Sequence, residues 1–238
     1  MEPVREGAHY KIMKHLILSA AMAALTLSAC SSGAASNSSS QTKAATVAPA
    51  PMTGAQAQFV RPSGLGSDMQ TAIVAGGCFW CVESDFEKLD GVSEVISGYS
   101  GGTLDDPTYE AVSYKETGHY EAAMIIYDPS IVTYRQLIDQ YWMTVDPTDS
   151  SGQFCDKGSS YRTAIFTTPD QRAEAEASKD MIVNSGKVAR VVTPVLPATT
   201  FYPAEDYHQD YYKKNPVRYK GYRFGCRRDA RLAELWGN

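Results

Sequence analysis

Ala72-Ile73-Val74-Ala75-Gly76-Gly77-Cys78-Phe79-Trp80-Cys81 decides the reading of the fold. Four small or branched apolar residues in a row have the pattern of a short buried strand, which the glycine pair closes. Phe79, Val82, Phe86 and Leu89 then recur at helical spacing, with Asp90-Gly91 as the stop. Two glycines let the backbone turn sharply at the strand's end, which places Cys78 at the start of the helix. Unpaired N–H groups and the macrodipole favour a thiolate there, and the thiolate is the form that attacks. Cys81 lies three residues on, across one helical turn. A lone cysteine is most often buried and inert, but two of them flanking an aromatic pair at a strand-to-helix turn mark a reactive thiol. Cys-x-x-Cys after a strand also fits thioredoxin-like disulfide exchange, which stands as the alternative. Zinc would need about four suitably spaced ligands. Cys155, Cys226, His119 and His208 supply no second close pair, so no metal is expected.

Outward from this turn, strands are predicted over Val92 to Tyr99, His119 to Tyr127 and Tyr161 to Phe166, with an extended stretch over Val188 to Leu196. Helices are predicted from Thr133 to Thr144, from Thr168-Pro169 to about Asn184, and from Ala204 to Lys213. Strands mixed with helices imply an α/β (α+β) fold, a single compact domain with a mixed sheet flanked by helices. A chain of 238 residues that is 43% hydrophobic and 21% charged has enough apolar material for such a core. A net charge of −5 argues against a nucleic-acid partner. Five cysteines are too few for a disulfide scaffold. No run of 18 apolar residues is present, which excludes an ordinary membrane-spanning helix.

The N-terminal portion reads as an address. Met13-Lys14-His15 is a short basic region, Leu16 to Leu27 is apolar, and Leu27-Ser28-Ala29-Cys30 places small residues before a cysteine. This resembles a bacterial lipoprotein signal peptide. The resemblance implies cleavage before Cys30, lipidation there, and attachment on the periplasmic side of the envelope, at the outer membrane given Ser31. Residues 1–12 precede that signal, and translation starts at either Met1 or Met13. The expected division is therefore 1–29 signal peptide, 30–67 a Ser/Ala-rich flexible tether too poor in apolar residues to fold, and 68–238 the catalytic domain.

Six blocks carry a further resemblance. They are Gly77-Cys78-Phe79-Trp80, Gly98-Tyr99-Ser100-Gly101-Gly102 with Pro107-Thr108-Tyr109, Thr117 to Ala122, Asp156 to Arg162, Phe201 to Gln209, and Lys214-Asn215-Pro216. In this order they resemble the peptide methionine sulfoxide reductase A family. The resemblance implies a ferredoxin-like fold and reduction of methionine-(S)-sulfoxide in oxidised proteins and peptides, without a cofactor. Cys78 is the implied nucleophile. Glu121 is the implied acid, kept protonated by an apolar site. Tyr109 and Tyr161 are the implied donors to the sulfoxide oxygen. Phe79 and Trp80 form the implied wall for the methyl group, and Asp156 is a carboxylate at the rim. His119 and His208 read as structural.

The thiol must then be regenerated. A sulfenic acid at Cys78 condenses with a nearby thiol, and Cys81 is the favoured resolver, with Cys226 and Cys155 as alternatives. Relatives place resolving cysteines near the C-terminus, where this chain has Lys220; Cys155 also stands where asparagine is usual. Cys155 and Cys226 are open to two readings, a structural disulfide or a relay for reducing equivalents. The final reductant is expected to be thioredoxin-like.

Overall fold

The computed structural model describes residue 66 and residues 68–237. The expected signal peptide, Cys30 and all of the tether but residue 66 lie outside the described residues.

Strand β1 (Gln70–Gly76) leads through Gly77-Cys78 into helix α1 (Phe79–Phe86), followed by β2 (Val92–Ser100), α2 (Tyr109–Tyr114), β3 (Tyr120–Tyr127) and α3 (Tyr134–Trp142). Two short paired strands, β4 (Gly152–Gln153) and β5 (Asp156–Lys157), precede a single 3-10 turn at Ser159–Tyr161. Then come β6 (Thr163–Thr167), α4 (Pro169–Asn184), β7 (Val195–Pro197) and β8 (Tyr202–Pro203). The chain closes with α5 (Tyr211–Lys214), α6 (Pro216–Gly225) and α7 (Arg228–Trp236).

Six strands form one mixed sheet in the order β7-β6-β1-β3-β2-β8. Neighbours are antiparallel except for β6 and β7. The central four, β6-β1-β3-β2, have the βαββαβ order of a ferredoxin-like sheet. Strand β3 is buried along its whole length, so it reads as a continuous apolar run broken at one position, Glu121. Its alternate residues serve two cores. Ala123, Ile125 and Tyr127 join Val82, Phe86, Leu137 and Trp142 under the helices. Ala122, Met124 and Ile126 face the other side with Ile73 and Phe166, against Leu196 and Phe201. Because side chains alternate along a strand, Glu121 belongs to the helical side, beneath α1.

The helix expected over Ala204 to Lys213 is corrected to turns, with helix only at Tyr211–Lys214. Side chains there bind backbone elsewhere instead of lining a helix face. Gln209 accepts from Ser97 N–H at 2.9 Å and donates to Ser97 and Ala204 carbonyls at 2.8 Å. The amide thus takes the place of a paired strand at β2, and Asp210 follows with a left-handed φ of 53°. Val188 to Val192 is likewise not strand, since β7 starts at Val195. Tyr161 sits in the 3-10 turn just before β6 rather than in the strand.

Candidate active site

The site is built where β1 ends. Gly77 has a φ of +79°, and a Cβ there would meet the Gln153 side chain at 2.5 Å. Glycine is therefore required on two counts, conformation and space. The Gln153 amide is itself fixed to Asp146 and Gly152 carbonyls at 2.8 Å. Arg228 of α7 donates to the Gly76 carbonyl at 3.2 Å and the Thr144 carbonyl at 2.7 Å while buried to 2% exposure. Its planar fork joins the Gly76-Gly77-Cys78 turn to the chain just after α3.

Cys78 occupies the N-cap of α1. Phe79 N–H, the first helical donor, is given to Glu121 Oε2 at 3.0 Å. The helix terminus therefore holds the carboxyl against the cysteine turn, and the positive end of α1 acts on both groups. Cys78 and Cys81 are buried free thiols in hydrogen-bonding contact with each other. They titrate as a pair. Burial, the Cys81 thiol and the nearby Glu121 push Cys78 well above the usual thiol range. The thiol bond from Cys78, opposed by burial, and the charges of Arg228 and Arg223 bring Cys81 down to about 7. Cys81 is accordingly the more acidic thiol of the two.

Glu121 is 2% exposed. Burial raises its carboxyl to about 8 against the Phe79 N–H, which works the other way; Asp156 adds like-charge repulsion. Burial thus favours the neutral form of this carboxyl near pH 7, unlike that of a surface carboxylate. Tyr161 hydrogen-bonds toward Glu121, and Tyr109 and Tyr161 bond to each other. Both phenols are raised above their usual range, first by burial and then by Glu121, so both keep their protons.

An aromatic wall surrounds this cluster. Phe79 lies 4.9 Å and Tyr109 4.5 Å from the His208 ring, and Trp80 stacks on Tyr211 at 3.7 Å with a 6° interplanar angle. Trp80 Nε1 donates to His208 Nδ1 at 3.1 Å. Among the described residues His208 Nε2 is buried without a partner, and burial lowers the ring's affinity for a proton. The structure brings Cys78, Cys81, Phe79, Trp80, Tyr109, Glu121 and Tyr161 together, with Asp156 at the rim, where Tyr222 donates to its Oδ2. His119 stays outside, with its ring bonded to Gly102 N–H and the Leu104 carbonyl.

Three supports escaped sequence reasoning. Glu205 accepts Tyr109 N–H and Tyr99 O–H, each at 2.9 Å, and so fixes the start of α2. Arg228 and Tyr222 arrive from helices beyond the motif blocks, and nothing in their own spacing marks them. Glu205 and His208 do lie inside the block Phe201 to Gln209, and the signal available there was the density of polar groups between aromatics. Cys155 and Cys226 are bonded to each other, with Cα atoms 4.9 Å apart, which settles the pairing that spacing left open. The cysteine pair and Asp156 lie close enough to share an ion, but both sulfurs are occupied by that bond.

A family model described as peptide methionine sulfoxide reductase matches residues 70–238. Peptide methionine sulfoxide reductase MsrA 2 of Caulobacter vibrioides is 52% identical over 168 residues, covering 71% of this chain and 86% of the relative. The MsrA of Halalkalibacterium halodurans is 48% identical over 171 residues, covering 71% and 97%. Among solved structures, methionine sulfoxide reductase A of Corynebacterium diphtheriae superposes with a TM-score of 0.59 at 31% identity, covering 64% of this chain and 77% of that one. Reduced Mxr1 from Saccharomyces cerevisiae gives the same TM-score and identity over 64% and 89%. The match runs from β1 to the C-terminus and takes in every side chain of the buried dithiol-and-acid cluster, and the chain belongs to the peptide methionine sulfoxide reductase family.

Proposed function

We propose that this protein reduces methionine-(S)-sulfoxide in proteins and peptides, with Cys78 as nucleophile and Glu121 as acid. The observation that carries the reading is the buried Glu121 carboxyl, held by Phe79 N–H at 3.0 Å at the turn that presents the free Cys78 and Cys81 thiols, where burial favours its protonated form. A sulfoxide needs both at once, an electron pair for its sulfur and a proton for its oxygen. The Cys78 thiolate attacks sulfur while Glu121 protonates the oxygen, and Tyr109 and Tyr161 donate hydrogen bonds to the same oxygen. Methionine leaves, and the oxygen stays on Cys78 as a sulfenic acid. Cys81, within contact, then displaces water and forms the Cys78–Cys81 disulfide. In sum, one sulfoxide and two thiols give one thioether, one disulfide and one water.

The aromatic wall of Phe79 and Trp80 receives the S-methyl group, and the fixed direction of Glu121 relative to that wall admits one sulfoxide epimer. Asp156 acts at the rim by holding Tyr222. The free Cys81 thiol beside Cys78, with Cys155 and Cys226 joined to each other, supports Cys81 as the resolver. Regeneration takes a two-electron dithiol donor, for which a thioredoxin-like protein is suited. The lipoprotein-type signal ending before Cys30 supports an acylated, outer-membrane-tethered enzyme facing the periplasm, where its substrates are exported proteins.

The test is single-turnover reduction of separate S and R epimers of a peptide methionine sulfoxide, by protein with Cys78 and Cys81 reduced and no reductant present. Consumption of the S epimer alone, with two thiols lost per methionine, is expected, and Cys78→Ser abolishes it. Consumption of neither epimer moves the pair to disulfide exchange.

A further inference from the structure

Tyr222 lies on α6, past the last block that carries the family resemblance. Its hydroxyl donates to Asp156 Oδ2, and its ring stands edge-on to Trp80, with centroids 6.0 Å apart and an 82° interplanar angle. The side chain packs onto the Cys78, Cys81, Tyr211 and Tyr219 cluster, with its hydroxyl near enough to Cys78 to favour the thiolate there. Cys155, next to Asp156, is bonded to Cys226 at the end of α6. The two ends of the Tyr222–Asp156 contact are therefore covalently tied. One phenolic hydrogen thus faces two acceptors, a carboxylate and a sulfur.

The adjacent dithiol poses a choice that a single thiol does not. With one proton shared between two sulfurs, its negative charge sits on Cys78 or on Cys81. Arg228 and Arg223 draw it to Cys81, whereas attack on a sulfoxide needs it on Cys78.

We propose that Tyr222 is a catalytic residue that places the dithiol's negative charge on Cys78, its O–H turning from Asp156 Oδ2 to Cys78 Sγ as the shared proton passes to Cys81 Sγ. The S–H bond at Cys78 breaks, its electron pair stays on that sulfur, and the proton is held by Cys81, so net charge is unchanged. Asp156, half-buried at the rim, takes solvent donors in exchange. Once Cys78 carries the oxygen, it no longer competes for charge. The two arginines then favour the Cys81 thiolate that resolution requires. One dithiol thereby serves as nucleophile at either sulfur in turn.

The inference deepens the sulfoxide-reductase reading and rests on it, but its first test needs no sulfoxide. Protein with Cys78 and Cys81 reduced and Cys155–Cys226 intact is given a short pulse of iodoacetamide at pH 7, and label at each cysteine is quantified by peptide mass spectrometry. Tyr222→Phe removes one oxygen. It is expected to lower the Cys78-to-Cys81 label ratio by about tenfold or more, the worth of a hydrogen bond to an ionised group. Asp156→Asn keeps an acceptor for Tyr222 while removing the competing charge, and is expected to hold or raise the ratio. An unchanged ratio in Tyr222→Phe overturns the proposal. So does an equal fall in Asp156→Asn, which would reduce Tyr222 to a prop for the rim. In single turnover, Tyr222→Phe is expected to slow methionine formation by the same factor and leave disulfide closure unaltered. A fallen label ratio in a protein that reduces no sulfoxide supports the charge placement and removes only the substrate reading.

Discussion

Replacing Glu121 by glutamine separates the proton from the hydrogen bond. The amide would keep an oxygen for Phe79 N–H, which now binds Glu121 Oε2 at 3.0 Å, and would keep a donor for a sulfoxide oxygen. It has no transferable proton. The carboxyl lies at about 8 instead of its usual 4.5. At pH 7 that leaves about 90% of it protonated, against about 0.3% for an unperturbed glutamate, a gain of about 300-fold in usable acid. Loss of general acid catalysis typically costs about 10²–10⁴ in rate. The Glu121→Gln variant is therefore expected to fall by about that factor in single turnover at pH 7, measured by quenched-flow formation of methionine. The pH profile is the sharper readout. Activity of the unmodified enzyme should rise through about 7 as the dithiol ionises and fall through about 8 as Glu121 loses its proton. In Glu121→Gln the alkaline fall should disappear. An unchanged rate, or an alkaline limb that persists in the variant, refutes the assignment.

The same shift makes a statement about stability. The folded state holds the Glu121 proton up to about 8, while an unfolded chain releases it near its usual 4.5. Between those values the native state binds more protons than the unfolded one. Stability due to this group is thus complete below about 4.5 and is lost as pH rises through about 8, by about 5 kcal/mol at most. Glu121→Gln should flatten this slope, and denaturant titrations on the acid and alkaline sides of that window would show it. A chain with the acid in its active site is therefore weakened where the acid is ionised, the expected cost of keeping a carboxyl neutral at the pH where it works.

Cys81→Ser should release about one methionine per enzyme and then stall with a dimedone-reactive sulfenic acid at Cys78. Full thioredoxin-coupled turnover would instead point to Cys226 or Cys155 as the resolver. Arg228→Met should cost about 3 kcal/mol in urea unfolding, since it leaves the buried Gly76 and Thr144 carbonyls without their partner. It should also move the thiolate absorbance midpoint of the dithiol upward from about 7; an unmoved midpoint would remove that arginine from the electrostatics. Gly77→Ala should lose at least about 1 kcal/mol of stability to the left-handed φ alone, and more to the contact with Gln153. An unaltered midpoint in the same urea assay would show that the turn is not strained.

What the sequence made legible was local. The Gly-Gly-Cys turn needs only a strand, a positive φ and a helix start, and all three are written within a single short stretch. Strand β2 and helices α3 and α4 are long enough to show their period, β3 is legible as a long apolar run, and Thr133 and Thr168 complete capping boxes. Helix α2 has six residues, too few for any period to register, and is placed by Glu205 from far along the chain. The segment Ala204 to Asp210 misleads for the opposite reason. Its composition suits a helix, yet Gln209 contributes more by pairing with the backbone of Ser97 than it would in a helical turn, because an unpaired N–H at the edge of β2 would be costly to bury.

The part of the site invisible to sequence is the part that sets its electrostatics. Cys78 and Glu121 announce themselves by motif, but an acid near 8 and a dithiol near 7 are properties of the walls. Those walls come from β3's full burial, from Arg228 on the last helix, and from Tyr222 tied to Asp156 through Cys155–Cys226. Arg228 and Tyr222 act on partners 152 and 66 residues away in sequence, which no local pattern encodes. The Cys155–Cys226 bond falls in this same shell, beside Asp156 and at the end of the helix that carries Tyr222. With Cys226 held by Cys155, the free thiols among the described residues are Cys78 and Cys81. On the reading proposed above, the C-terminal segment serves the dithiol through Arg223, Arg228 and Tyr222, the groups that bear on which of the two sulfurs is anionic.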